Sequence, residues 1–342
     1  LFCRRCGPAD ILGHRLAEAG MAKIYVLHEN NDWVIPLRKA FAERNLPYAE
    51  WYLDQWAVDL SGLPPHGVFY NRMSASSHTR DHRYSAELTA TVLAWLERHG
   101  RVVVNDGRAL DLEISKTRQY MRLAREGIPV PKTVAVVGQH ALPDALSAFA
   151  QGPLIIKPNR SGKGLGVRLY ETPEQIVVAA ERGELPDTID GTLLVQEYIR
   201  SETGHIFRAE FVGGRFLYLV KIDATGGFEL CPSDVCELDT FCPATPGGKK
   251  FEIVEGVITA DQISRYERFL RNNGIGVAGI EFVVRSDGER VVYDVNTNTN
   301  YNAEAEQAAG KSGMGTIAQY LGRLLTEGRS ALEHERHSTV GG

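Results

Sequence analysis

Cysteine is scarce, with five in 342 residues at Cys3, Cys6, Cys231, Cys236 and Cys242. Cys3-Arg4-Arg5-Cys6 has zinc-knuckle spacing, but no second pair stands at metal-ligand distance to complete a tetrahedral site. A site of Cys231, Cys236 and Cys242 with a histidine is the weaker reading. The odd count and wide gaps argue against a disulfide framework and fit free thiols in a reducing cytoplasm. No apolar run approaches the roughly 18 residues that a bilayer span needs, so no membrane partner is expected. Leu1–Arg5 leads into Gly7, Pro8 and Asp10 rather than a secretory apolar stretch. There is no block of Lys and Arg. The 38 basic and 43 acidic residues leave a formal net charge of −5, which argues against a nucleic-acid partner. Internal repeats, low-complexity segments and a Ser-His-Asp or Cys-His nucleophile signature are also missing.

What remains is an ordinary globular composition, 43% hydrophobic and 24% charged. Its length suggests about two domains. Met21 immediately precedes the apolar strand pattern Lys23–Leu27, so residues 1–21 read as an N-terminal extension, either native or upstream translation, and dispensable for folding. From there strand and helix patterns alternate. Ala49–Leu53, Gly67–Tyr70 and Arg101–Asn105 read as strands, while Val34–Arg44 and Tyr84–His99 carry apolar residues at helical spacing. This order predicts a parallel α/β domain over 22–105. One helix is expected at Glu113–Glu126, and a strand-rich region from Leu193 onward. The polar end, 329–342, reads as a mobile tail.

Chemistry first appears in a hairpin. Gly279–Val284 and Arg290–Asn296 flank Ser286-Asp287-Gly288-Glu289, where Asp-Gly signals a two-residue turn. That turn makes Ile280, Phe282 and Val284 face Val295, Tyr293 and Val291 on an apolar side, leaving Val283 and Val292 on the other. The same count sets Glu281 opposite Asp294, with Asn296 following on their face. Facing carboxylates repel unless a cation sits between them. Two carboxylates and an amide oxygen suit a hard cation such as Mg²⁺, so Asp294→Asn is expected to leave the metal-free protein unharmed. A second element is Leu154-Ile155-Ile156-Lys157-Pro158-Asn159-Arg160-Ser161-Gly162-Lys163-Gly164-Leu165-Gly166-Val167, an apolar strand ending in Lys and feeding a Gly-rich loop. Such a loop lets backbone N–H groups approach phosphate closely, and a structural turn fits it equally well. Third, the apolar run Leu193–Val195 exits into Gln196-Glu197-Tyr198-Ile199.

In order, Lys116, Lys157 with its loop, Gln196–Ile199, Arg208, Glu281 and Asp294-Val295-Asn296 resemble an ATP-grasp enzyme. The chain most resembles the RimK-like carboxylate–amine ligases of ribosomal-protein glutamate ligase type, over about residues 70–325. The resemblance implies a fold that is α/β and α+β. A small α/β pre-ATP-grasp domain (22–105) would precede a two-lobed ATP-grasp fold with lobes at 106–192 and 193–328. It further implies that Lys116, Lys157 and the loop of Ser161, Gly162, Lys163, Gly164 and Gly166 hold ATP phosphates. Gln196, Glu197, Tyr198 and Ile199 would hold adenine. Glu281, Asp294 and Asn296 would bind Mg²⁺, with Mn²⁺ as an alternative. Arg208 would act on the transferring phosphoryl group, with Lys221 as a second catalytic candidate. Relatives usually carry Asp for the ribose where Ile206 stands, so His205 takes that contact or it is lost.

The activity implied is joining a carboxylate, of an amino acid or peptide, to an amine through an acyl phosphate. A phosphotransferase and a non-catalytic nucleotide-binding protein are the alternatives. Asn71 and Arg72 at a first-domain strand end, and Asn298 in the Asn-rich stretch after the metal ligands, are candidates for holding substrate. Arg80, His82 and Arg83 read as solvated surface. A protein substrate and a homo-oligomer are compatible with this reading.

Overall fold

The structure, a computed structural model, describes residues 22–150, 152–162, 164–201, 203–223 and 250–339, with side chains as far as residue 328. Lys163, residues 1–21 and the three later cysteines therefore lie outside the described residues, as does most of the irregular segment Lys221–Lys250.

The first unit contains Lys23–His28 (β1), Ile35–Glu43 (α1), Tyr48–Tyr52 (β2), Gly67–Asn71 (β3), Ser85–Arg98 (α2) and Val102–Val104 (β4). Its parallel sheet has the order β2-β1-β3-β4. Ile24, Val26, Val68 and Tyr70 are buried on one face and Leu27 and Phe69 on the other, which explains the near-continuous apolar runs of a sheet covered on both faces. The chain leaves β1 to one side for β2 and returns on the other for β3. The carboxyl ends of β1 and β3 therefore form the switch-point crevice where such sheets bind ligands.

An additional short helix, Gly107–Glu113 (α3), precedes Lys116–Arg125 (α4), which is the helix expected at Glu113–Glu126. Ser115 breaks them apart because its hydroxyl caps α4, accepting from Arg118 N–H. The second unit follows with Thr133–Val136 (β5), Leu142–Ser147 (α5), Leu154–Pro158 (β6), Arg168–Tyr170 (β7), Pro173–Glu181 (α6) and Leu193–Glu197 (β8). Its antiparallel sheet is ordered β5-β8-β6-β7. The third unit has His205–Val212 (β9), Arg215–Asp223 (β10), Phe251–Val254 (β11), Ala260–Asn272 (α7), Val277–Val284 (β12) and Arg290–Asn296 (β13), in the order β11-β10-β9-β12-β13. Ala303–Ala309 (α8) and Gly313–Thr339 (α9) complete the chain, so the segment expected to be a mobile tail is helical over 329–339.

The five-stranded sheet has two different faces. One packs Phe207, Phe282, Val292 and Val295 against Tyr120, Leu123 and Phe269 of α4 and α7. The other begins apolar, where Val212, Tyr218, Val220 and Val277 meet α9, α1 and the first sheet. Farther along the same face, Arg208, Glu281 and Asp294 open onto a cleft.

The hairpin loop differs from the expectation. Arg285 and Glu289 close three residues, Ser286-Asp287-Gly288, with Arg285 N–H donating to Glu289 O. Gly288 sits at φ +84, the left-handed conformation that a three-residue loop needs. Register at the turn end is thereby shifted, pairing Phe282 with Val292 and Val283 with Val291. A bulge at Tyr293 then restores the expected pairing of Glu281 with Asp294 and Ile280 with Val295. Tyr293 consequently faces the cleft and Val292 the core, the reverse of the two-residue-turn count.

Candidate active site

Between the two antiparallel sheets lies a cleft of about 430 Å³, whose wall also includes Trp33 and Ser74–Ser76 of the first unit. Helix α4 organises it. The α4 N-terminus docks on the residue after β6: Lys116 N–H donates to Asn159 O at 3.3 Å, and Thr117 N–H to Asn159 Oδ1 at 3.0 Å. This brings Lys116 beside Lys157. Lys116, Gln119 and Tyr120, at helical spacing on one face, then reach β13. Lys116 Nζ lies 2.8 Å from Asp294 Oδ1. Gln119 bonds both backbone groups of Val295, and Tyr120 hydroxyl donates to Tyr293 O. Lys157 Nζ donates to that Tyr120 hydroxyl at 2.8 Å.

The facing carboxylates are compensated within the protein. Glu281 pairs with Arg208 at 3.2 Å, its cross-strand neighbour on β9, and Asp294 pairs with Lys116. Burial pushes the Glu281 carboxyl up and Asp294 pushes it further, while Arg208 and the Tyr293 hydroxyl pull it back. For Lys116 burial opposes the charge, yet Asp294 and other nearby groups outweigh it and raise its pKa. Arg208 is likewise raised, because Glu210 and Glu281 outweigh burial. Glu210, wholly buried behind Arg208, is pushed up to about 7 by desolvation despite that guanidinium.

Among the described residues no trio of His, Cys, Asp or Glu gathers as a metal site. The donor set for a hard cation is therefore two carboxylates and the Asn296 amide. All three line the cleft on one edge, and Asn296 Oδ1 already accepts one bond, from Asn298 N–H at 3.0 Å. An amide oxygen has a second lone pair, so the set fits Mg²⁺ with phosphate and water completing its shell.

At the other end, Gln196, Glu197, Tyr198 and Ile199 line the cleft with Ile155, Leu169, Ile206 and Val283, an apolar slot suited to a flat ring. Ser161, Gly162 and Gly164 also line it, whereas Gly166 does not. Ile206 shares Arg208's face of β9. His205 falls on the opposite face, outside the lining, with its carbonyl bonded by Ser201. Lys221 also stays out: it lies on the far face of β10 and pairs with Glu252 at 2.6 Å. Asn298 lines the cleft, but Asn71 and Arg72 do not. Asn71 bonds Asn105 O and Met73 N–H. Arg72, 1% exposed, donates to Asn298 Oδ1, Thr299 O and Asn300 Oδ1, tying down the loop after β13.

Reasoning on sequence missed Glu113, whose buried carboxylate bonds Ala75 N–H and both the backbone and hydroxyl of Thr297. It missed Tyr293 through the turn, and Glu210 because one acidic residue in an apolar strand carries no motif. Arg80 and His82, expected to be solvated, instead clamp the fully buried Glu29 at 2.5 and 2.8 Å. Arg80 also stacks on Trp33, 4.7 Å from the ring centroid.

A model of the RimK-like ATP-grasp domain matches residues 114–226, the stretch that supplies Lys116, Lys157, the Gly-rich loop and Arg208. Over that stretch the chain is similar to the RimK-like ATP-grasp domain. A curated relative named "Probable alpha-L-glutamate ligase" from Methanococcoides burtonii is 27% identical over 248 residues, covering 70% of this chain and 75% of that one. The solved RimK domain ATP-grasp protein from Sphaerobacter thermophilus superposes with a TM-score of 0.60 at 21% identity, over 87% of this chain and 99% of its own. The ATP-grasp ligase PsnB, solved with a minimal precursor variant, Mg and ADP, superposes at 0.61 with 18% identity, over 89% and 99%. At these identities the structural likeness carries the ATP-grasp fold.

Proposed function

We propose that this chain is a RimK-like, ATP- and Mg²⁺-dependent ligase joining the carboxylate of an amino acid or peptide to an amine. The convergence of Lys116, Lys157 and Arg208 on the carboxylates Glu281 and Asp294 in one cleft carries this reading. Three cations beside an oxygen-donor edge can neutralise a triphosphate and its transferring group, and phosphoryl transfer needs little else from a protein. The relatives' names, glutamate ligase and a peptide-bound ligase holding Mg and ADP, support the same class.

In this reading, adenine occupies the apolar slot beside Gln196–Ile199, and the phosphates lie between Lys116, Lys157 and the Gly-rich loop. Glu281, Asp294 and Asn296 would hold Mg²⁺, which draws charge from the β- and γ-phosphates. A substrate carboxylate oxygen attacks the γ-phosphorus, the bond to the β-phosphate oxygen breaks, and ADP leaves with that electron pair. Arg208 faces the charge developing on the transferring group. The amine nitrogen then attacks the acyl carbon, phosphate departs, and the nitrogen sheds its proton as the amide forms. Water must be kept out while the acyl phosphate exists, which the Ser161–Val167 loop would do by closing over the phosphates. Asn298, at the first-unit end of the cleft near Ser74–Ser76, is the side chain placed to orient substrate.

The test is a screen of amino acids and short peptides, singly and in pairs, for ADP and free phosphate release. A ligase releases both only when carboxylate and amine are supplied together. ADP formation with one substrate and a stable phosphorylated product would instead identify a phosphotransferase.

A further inference from the structure

The five-stranded sheet contains an arrangement that nucleotide and metal binding do not require. On β9, Arg208 and Glu210 share the cleft-side face, and β12 sets Glu281 opposite the first and Gly279 opposite the second. Gly279 has no side chain, and the Arg208 guanidinium fills the vacated slot. A Cβ there would lie 2.3 Å from Arg208 Nε. Behind it, Glu210 Oε1 lies 2.7 Å from Arg208 Nε as an ion pair whose N–H is not aligned for a hydrogen bond, and Glu210 Oε2 accepts from the Thr299 hydroxyl at 2.8 Å. That hydroxyl in turn accepts from Arg208 Nη2. Arg208, Glu210 and Thr299 are each at most 1% exposed. Only the Nη1 edge is left to face Glu281 and the cleft.

We infer that Glu210 is a positioning residue, which with Thr299 holds the Arg208 guanidinium edge-on in the Gly279 slot so that one edge meets the transferring phosphoryl group. The inference rests on the ligase reading for Arg208's role, but the clamp itself does not. A buried ion pair is weak evidence of added stability, because desolvation offsets the attraction. Orientation is a better reason for one. A free arginine samples many rotamers, and fixing it beforehand removes that cost from the reaction step. The arrangement also orders the parts: Arg72 anchors Thr299 through its carbonyl, so the first unit sets the back wall of the clamp.

The test compares wild type with Glu210→Gln, Arg208→Lys and the double variant. The probes are Mg²⁺-ADP alone and Mg²⁺-ADP with fluoroaluminate, which mimics the transferring phosphoryl group. The arginine Nε–Hε NMR signal that vanishes in Arg208→Lys reports the clamp directly. Glu210→Gln should unfold cooperatively, bind Mg²⁺-ADP within about twofold of wild type, and bind the fluoroaluminate complex on the order of tenfold more weakly. It should also broaden or lose the Arg208 signal, and in the Arg208→Lys background it should add nothing further. Equal weakening of both probes, full additivity in the double variant, or an unchanged Arg208 signal would each overturn the inference. If Arg208→Lys leaves fluoroaluminate binding intact, the role assigned to Arg208 fails, and the NMR signal still decides whether Glu210 holds it. Should Glu210→Gln not fold, Thr299→Val removes the bridging hydroxyl alone and carries the same comparison.

Discussion

Replacing Asp294 by Asn separates what the hairpin register implies from what the folded site imposes. Register alone makes Glu281 and Asp294 repelling neighbours, worth a few tenths of a kcal/mol, so neutralising one should be harmless without metal. The structure reverses that sign. Asp294 lies 2.8 Å from the Lys116 ammonium, whose side chain is 10% exposed, and is itself 25% exposed. A charge-assisted hydrogen bond is worth about 1.5–3 kcal/mol, and stranding a buried charge costs about 3–5. Partial exposure of Asp294 trims the upper end, so the metal-free variant should lose about 2–3 kcal/mol. Urea unfolding of wild type, Asp294→Asn, Lys116→Met and the double variant measures this, because removing Lys116 removes the reason for the loss. Thermal unfolding with ATP, with and without Mg²⁺, completes the assay, and the variant should lose the increment that Mg²⁺ adds in wild type. A coupling below about 0.5 kcal/mol, or a metal-free variant as stable as wild type, would refute the reasoning. Retention of the full Mg²⁺ increment would remove Asp294 from the metal site.

Lys157→Ala should weaken ATP binding by about 1.5–3 kcal/mol by calorimetry, and unchanged affinity would take this residue out of the phosphate site. Gly279→Ala should fold less stably and lose turnover while retaining ATP binding, since its Cβ would occupy the place of Arg208 Nε; crystallography of the variant would show whether the guanidinium has left the slot. Glu210, raised from 4.5 to about 7, contributes stability that is complete below its unfolded pKa and lost as pH rises through about 7. The stability difference between wild type and Glu210→Gln should therefore shift against wild type by on the order of 1–3 kcal/mol between pH 5 and 8, measured by denaturant titration. A pH-independent difference would show that Glu210 stays ionised throughout.

Periodicity and local chemistry determined the strands, the order of the units and the carboxylate edge of the cleft. A strand of alternating residues declares its own faces, so Glu281, Asp294 and Asn296 could be grouped from spacing alone. Local signals could not decide between a two-residue and a three-residue turn, because Asp-Gly serves both. The bulge at Tyr293 that cancels the difference is set by the packing of β13 on β12 and α4. The helix expected at Glu113–Glu126 formed, but its start at Lys116 was not legible for a related reason: it depends on Ser115 capping α4 and on Asn159 receiving the helix end from another strand. Charge pairing was the least legible of all. Lys116 meets Asp294 across 178 residues, Arg72 meets Asn298 across 226, and Glu113 meets Thr297 across 184. No window of sequence contains both members of such a pair. Tertiary structure therefore converted Arg72 from a substrate candidate into the anchor of a loop, and buried Glu29 beneath two residues that read as surface. The sequence by itself determined which chemical groups the cleft has to work with. Folding decided which are free to meet a ligand and which are held by one another, because that depends on distances between segments remote along the chain.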